Sequence, residues 1–141
     1  MEERFYFCES CGNFMIAAIA SGVIPHCCGD EMTLLKANTT DGAKEKHVPV
    51  VKYTSNHSIK VSIGSEPHPM TAQHSIRLIC LETSIGGVIR YLKEGETPEV
   101  CIHFDGKPIA VYAYCNLHGL WRVDVPDREP EACSTKGCSI M

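Results

Sequence analysis

Tyr112-Ala113-Tyr114-Cys115-Asn116-Leu117-His118-Gly119-Leu120-Trp121 is an apolar run that ends in a thiol and an imidazole with two residues between them, closed by a glycine. It reads as a strand that runs into a loop, and the loop can hold one metal from two directions. Upstream of it, from His47 to Val125, short alternating runs are separated by turn signals, the pattern of an all-β sandwich. The expected strands are 47–53, 57–63, 75–83, 87–93, 98–104, 108–114 and 120–125. Ile59, Val61 and Ile63 alternate with Lys60 and Ser62, and Val100, Ile102 and Phe104 alternate with Cys101 and His103, so the apolar set in each should face a core. Seven strands in this length suit an immunoglobulin-like β-sandwich.

Towards the N-terminus the pattern changes. Residues 1–36 form a small unit: Cys8-Glu9-Ser10-Cys11-Gly12, an apolar stretch from Phe14 to Ile24, then Cys27-Cys28-Gly29. Two sulfurs from each end can enclose one metal tetrahedrally, and so short a segment needs that metal to fold. The adjacent pair Cys27-Cys28 is unusual, because neighbouring side chains point apart and can share one ion only at distorted angles. A closed four-sulfur site supports folding if it holds zinc and electron transfer if it holds iron. Residues 37–46 are rich in turn formers and read as a linker, 47–125 as the sandwich, and 126–141 as a flexible tail that carries Cys133 and Cys138.

Composition narrows the classes of function. A net charge of -4 argues against a nucleic-acid binder, and no apolar run reaches the roughly 18 residues of a membrane span. Met1-Glu2-Glu3-Arg4 is not the basic start of a signal peptide, so the expected location is the cytoplasm. Nine cysteines in a reducing compartment read first as metal ligands. With seven histidines they offer more donors than one structural zinc could use.

Three upstream histidines join the Cys115–His118 loop as candidate ligands. His68 lies between Pro67 and Pro69, in a rigid loop that cannot enter a central strand; His74 precedes a strand; His47 begins the first one. Four imidazoles and one thiolate on one iron leave a sixth position open, as inner-sphere redox chemistry requires. Glu45-Lys46 stands directly before His47, and Lys46 is the positive group an acidic protein needs to draw in a small anion. His57 and His103 are left out as strand residues on ordinary faces, and Cys80 reads as core.

These motifs carry a resemblance. Residues 1 to about 125 resemble desulfoferrodoxin, the two-iron form of superoxide reductase. Cys8-x2-Cys11 with Cys27-Cys28 is similar to its desulforedoxin-like module, while Glu45-Lys46-His47-Val48-Pro49, His68-Pro69-Met70 with His74, and Cys115-Asn116-Leu117-His118-Gly119 are similar to its catalytic domain, shared with neelaredoxin. The resemblance implies one iron on Cys8, Cys11, Cys27 and Cys28, and a second with His47, His68, His74 and His118 equatorial and Cys115 axial. It implies one-electron reduction of superoxide to hydrogen peroxide without oxygen production. Lys46 would attract superoxide and assist protonation, and Glu45 would be the carboxylate that can bind the ferric iron. It further implies a homodimer fed by a small electron donor such as rubredoxin. Two other readings stand beside it: a rubredoxin-like electron carrier using only the four-cysteine iron, and a zinc-stapled structural protein.

Overall fold

The computed structural model describes residues 4–39, 44–64 and 68–128. The chain is nearly all β. Its N-terminal part holds β1 (Phe5–Phe7), β2 (Phe14–Ile16), β3 (His26–Cys27), β4 (Asp30–Glu31) and β5 (Thr33–Leu34). A single helical turn, α1 (Lys44–His47), follows. The remainder is β6 (Pro49–Ser55), β7 (Ser58–Ile63), β8 (Ile76–Thr83), β9 (Gly86–Tyr91), β10 (Glu99–His103), β11 (Pro108–Cys115) and β12 (Gly119–Asp124).

Two antiparallel sheets make the larger body, one in the order β10-β7-β6 and one in the order β12-β11-β8-β9. Each expected strand from β6 to β12 is present, with ends moved by three residues or fewer. Ile59, Val61 and Ile63 of β7 and Ile102 of β10 face Ile79 and Leu81 of β8 and Val111, Ala113 and Cys115 of β11, all essentially without solvent contact. The period-two alternation read from the sequence is the physical origin of this layer. Cys80 is buried, as expected of a core residue.

One correction concerns His47, which ends α1 and does not begin a strand; β6 starts two residues later at Pro49. Lys-Glu-Lys-His carries no apolar period, so nothing in its pattern marks a helix. Proline cannot continue a helix, and it is tolerated at a strand's first residue, which explains the switch at Pro49.

The four-stranded sheet is covered on both faces. Ala110, Tyr112 and Tyr114 of β11, with Leu78 and Cys80 of β8 and Leu120 of β12, point away from the sandwich core and pack against Phe5, Phe7, Phe14 and Ile16. The N-terminal sheet, in the order β2-β1-β5, therefore lies over the outer face of β11 and β8. Asn38 adds a polar tie: its backbone N–H donates to the Leu120 carbonyl at 2.9 Å, and its side chain accepts from Arg122 N–H at 2.9 Å.

Candidate metal centres

The first candidate centre is built by two tight turns. Cys8 leaves β1, and the turn Cys8–Gly12 is closed by Gly12 N–H donating to the Cys8 carbonyl at 2.8 Å. β3 and β4 pair Cys27 with Asp30, so Cys28 and Gly29 form a two-residue hairpin loop, with φ of 54° and 83°. Positive φ at both loop positions is the signature of a type I′ turn. It also answers the difficulty of adjacent cysteines, because the left-handed conformation at Cys28 swings its sulfur back beside that of Cys27. The Cys11 and Cys27 sulfurs are 3.6 Å apart, those of Cys27 and Cys28 are 3.9 Å apart, and all four lie within 4.8 Å of one another. Four sulfurs at about 2.3 Å from a tetrahedral metal would be separated by about 3.8 Å. His26 stands in β3, in register with Glu31.

The thiols of this group compete for charge. Backbone N–H of Cys11, the largest cause, lowers the Cys8 thiol to about 7. Hydrogen bonding to the Cys8 and Cys11 sulfurs pushes Cys27 up to about 12, and Cys28 is raised by the same two neighbours. One thiolate makes the next harder to form; a bound cation removes that conflict.

The second centre gathers residues from four segments. His47 comes from the end of α1, His68 and His74 from the loop before β8, Cys115 from the end of β11, and His118 from the β11–β12 turn. Ring centroids of His47 and His68 are 4.6 Å apart, His68 and His74 4.7 Å, His74 and His118 4.9 Å, and His118 and His47 4.7 Å. The diagonal from His47 to His74 is 6.3 Å. These are the sides and a diagonal of a near-square, and each ring stands within 16° of perpendicular to its neighbours, at 74° to 78°. The donor atoms of His47, His74, Cys115 and His118 all lie within 4.8 Å of one another; His68 completes the square through its ring contacts with His47 and His74.

Atom-level details point the same way. His118 Nδ1 lies 3.0 Å from His47 Nε2, the separation of two nitrogens bound at right angles to a metal at about 2.1 Å. The Nδ1–H of His68 donates to the Pro69 carbonyl at 2.6 Å, which leaves Nε2 as the lone-pair nitrogen. That atom and Nε2 of His74 are buried without a hydrogen-bond partner. Orphaned buried acceptors are costly, and a metal resolves the cost. Burial, above all other causes, brings His68 down to about 4 and lowers His74. The positive charge of Lys46 contributes to the shift at His74, after burial and the two neighbouring histidines. Burial raises the Cys115 thiol, opposed by N–H groups of His118 and Leu117.

Supporting contacts went unread in the sequence. The Asn116 side chain accepts from Ser75 N–H at 2.9 Å and donates to the Gln73 carbonyl at 2.8 Å, clamping the His74 loop to the loop of Cys115 and His118. Trp121 stacks on His47, centroids 4.9 Å apart at 20°, and its Nε1–H donates to the His118 carbonyl at 3.0 Å. A shift in pairing between Tyr114 and Cys115 in the β11–β8 ladder marks where the ligand leaves the regular strand. Only the positions of Asn116 and Trp121 within the ligand-bearing stretch hinted at these roles. Lys46 is exposed on α1; the Glu45 side chain, and Cys133 and Cys138, lie outside the described residues.

Known proteins share this arrangement. Residues 39–124 match the sequence profile of the family Desulfoferrodoxin. A desulfoferrodoxin of Syntrophotalea carbinolica is 44% identical over 116 residues, 82% of this chain and 91% of the relative. One from Nitratidesulfovibrio vulgaris is 41% identical over 121 residues, 86% of this chain and 95% of the relative. Among solved structures, the superoxide reductase from Treponema pallidum superimposes with a TM-score of 0.71 at 32% identity, covering 85% of this chain and 98% of that one. With the profile matched over the sandwich, and relatives aligned along more than four-fifths of its length, the chain belongs to the desulfoferrodoxin family.

Proposed function

We propose that this protein is a superoxide reductase with two irons per chain, one on Cys8, Cys11, Cys27 and Cys28 and one on His47, His68, His74, Cys115 and His118. The observation that carries the reading is the square of four imidazoles, each near-perpendicular to the next, with two orphaned nitrogens and a buried thiol beside it. Five donors of this kind would suit iron and would let it take a small ligand besides. An iron held there supplies the one electron that, with two protons, converts superoxide to hydrogen peroxide without releasing oxygen.

The chain's own residues do the rest. Burial favours the neutral form of His68 and His74, so their lone pairs are available to a cation near neutral pH. Asn116 and Trp121 hold two of the proposed ligand loops in place. Lys46 is exposed beside His47 and its charge is felt at His74, which suits attraction of an anionic radical and delivery of a proton. Glu45, directly before Lys46, is the carboxylate we assign as the further donor that an iron held there would take. A rubredoxin-like carrier would use the sulfur group and leave the histidine square without a role.

We further infer a division into a four-cysteine module at 1–36, a linker at 37–46, an immunoglobulin-like sandwich at 47–125 and a tail at 126–141. Cytoplasmic location, a homodimer and a small donor such as rubredoxin complete the reading. Among the described residues no helix is long and apolar enough to cross a membrane. The test is Lys46→Ala in the iron-loaded protein. The superoxide encounter should slow and its dependence on ionic strength should flatten; an unchanged rate removes Lys46 from the mechanism, and iron absent from the histidine centre removes the function.

A further inference from the structure

Arg77 is the extra residue at the point where Cys115 leaves its strand. In the β11–β8 ladder Tyr114 stands opposite Leu78 and Cys115 opposite Ile76, so β8 advances two residues while β11 advances one. Arg77 is left over between those pairs, the arrangement of a β-bulge, which bends the strand and re-aims a side chain. Its neighbours are buried, Ile76 in the sandwich core and Leu78 under the aromatic cover, whereas Arg77 itself is exposed. Its backbone carbonyl is taken by the far side of β8, accepting from Leu92 N–H at 3.0 Å.

The side chain turns back along the chain. A guanidinium N–H of Arg77 donates to the Ala72 carbonyl at 2.8 Å, two residues before His74. Three successive carbonyls at His74 are thereby held by three different residues: Ala72 by Arg77, Gln73 by Asn116, and His74 by the N–H of Thr71 at 2.9 Å. Thr71 also closes the turn from within, its hydroxyl accepting from His74 N–H at 3.0 Å. Asn116 ties this turn to the loop of Cys115 and His118, and Arg77 ties it to β8 at the rung where β8 meets Cys115. The charge of Arg77 is felt at both residues across the bulge: burial raises the Tyr114 hydroxyl and the Cys115 thiol, and Arg77 is among the groups that oppose it.

We propose that Arg77 is a positioning residue of the histidine centre, one side chain that fixes the His74 turn against the Cys115 rung and keeps a permanent positive charge on the sulfur side of the site. This rests on reading the group as an iron centre. A guanidinium stays charged at every working pH. Near a thiolate ligand it opposes the further positive charge that iron gains on oxidation, so it favours the ferrous state. The charge of Lys46 reaches His74 and that of Arg77 reaches Cys115, so the two cations address different ligands. Lysine at position 77 would keep the charge but has no planar fork to hold the Ala72 carbonyl in one direction. Methionine there would keep the stem and neither property.

The experiment is a redox titration of the full-length, iron-loaded protein beside Arg77→Met and Arg77→Lys, followed by the sulfur-to-iron absorption of each centre. At the midpoint of the unaltered protein, the ratio of ferric to ferrous iron at the histidine centre should rise about 2–10-fold in Arg77→Met, the size expected of one charge near a protein surface. That change should shrink in high salt, because the residue is exposed. Arg77→Lys should restore most of the ratio. The four-sulfur centre should titrate unchanged in both variants, which a general loosening of the fold would not allow. Competition with a chelator reads the tie to Ala72: the histidine centre should lose affinity for its metal by up to about 10-fold in both variants, the low end for groups that orient ligands. An unchanged ratio in Arg77→Met, a ratio in Arg77→Lys shifted as far as in Arg77→Met, or equal metal affinity in all three proteins overturns the proposal. Iron absent from the histidine centre of the unaltered protein overturns the superoxide reductase reading itself, and this role for Arg77 with it.

Discussion

The Phe5 ring lies 4.9 Å from that of Tyr112, inclined at 49°, and both side chains are fully buried. Through this contact the strand that leads to Cys8 rests on the strand that ends in Cys115. The two candidate metal groups thus belong to one packed body, joined through opposite faces of β11.

Phe5→Ala should cost about 3–5 kcal/mol, the range for removing a buried aromatic ring. Because the ring bridges both cores, the loss should appear as one shifted unfolding transition, followed by absorption of the four-sulfur metal and by near-ultraviolet circular dichroism. Two separate transitions, with the sandwich unmoved, would show that the contact carries little.

Asn116→Ala removes the clamp between the two ligand loops and leaves the buried Ser75 N–H without its acceptor, at about 1–3 kcal/mol. Metal affinity at the histidine centre should weaken by about 10–100-fold, as for other groups that orient ligands. Asn116→Asp keeps the acceptor and loses the donor to Gln73, so it should recover part of the affinity. Competition with a chelator measures both.

Gly29→Ala tests the hairpin that turns Cys28. A Cβ there meets nothing within 4 Å, so the expected cost of about 1–2 kcal/mol comes from the left-handed backbone alone. Cys28→Ser keeps the turn and removes one sulfur. It should abolish the sulfur-to-metal absorption of the first centre while metal at the second remains, as elemental analysis would report.

Acid should destabilise the metal-free protein through its histidines. His68 is held at about 4 when folded, against 6.5 in an unfolded chain, so the unfolded state takes up the proton first. This contribution is complete above about pH 6.5 and is lost as the pH falls towards 4. Denaturation midpoints of the apoprotein should drop between about pH 6.5 and pH 4, and His68→Gln should flatten that dependence.

Much of this was legible in the residues. Alternation in 58–63 and 99–103 named the inward face of β7 and β10 correctly, because each lies in a sheet with one face on the core. The residues proposed as ligands were legible as residue types near turns and element ends, and the structure brings them together. The approach of His118 Nδ1 to His47 and the contacts of Asn116 were not, since they depend on how separated loops meet. The second covered face of β11 had a signal that a search for alternation passes over. Val111 to Cys115 is continuously apolar, as expected of a strand buried on both sides. Adjacent cysteines looked geometrically awkward until the left-handed φ of Cys28 resolved them.

The aromatic cover over β11 and β8 also limits how this architecture could be shortened. Deleting the first 36 residues would strip Phe5, Phe7, Phe14 and Ile16 from Tyr112, Tyr114 and Leu78, and turn a sealed layer into a sticky exterior. A one-iron version would need polar replacements at those positions on the bared side of the sheet, while every second residue between them kept its place behind the histidines.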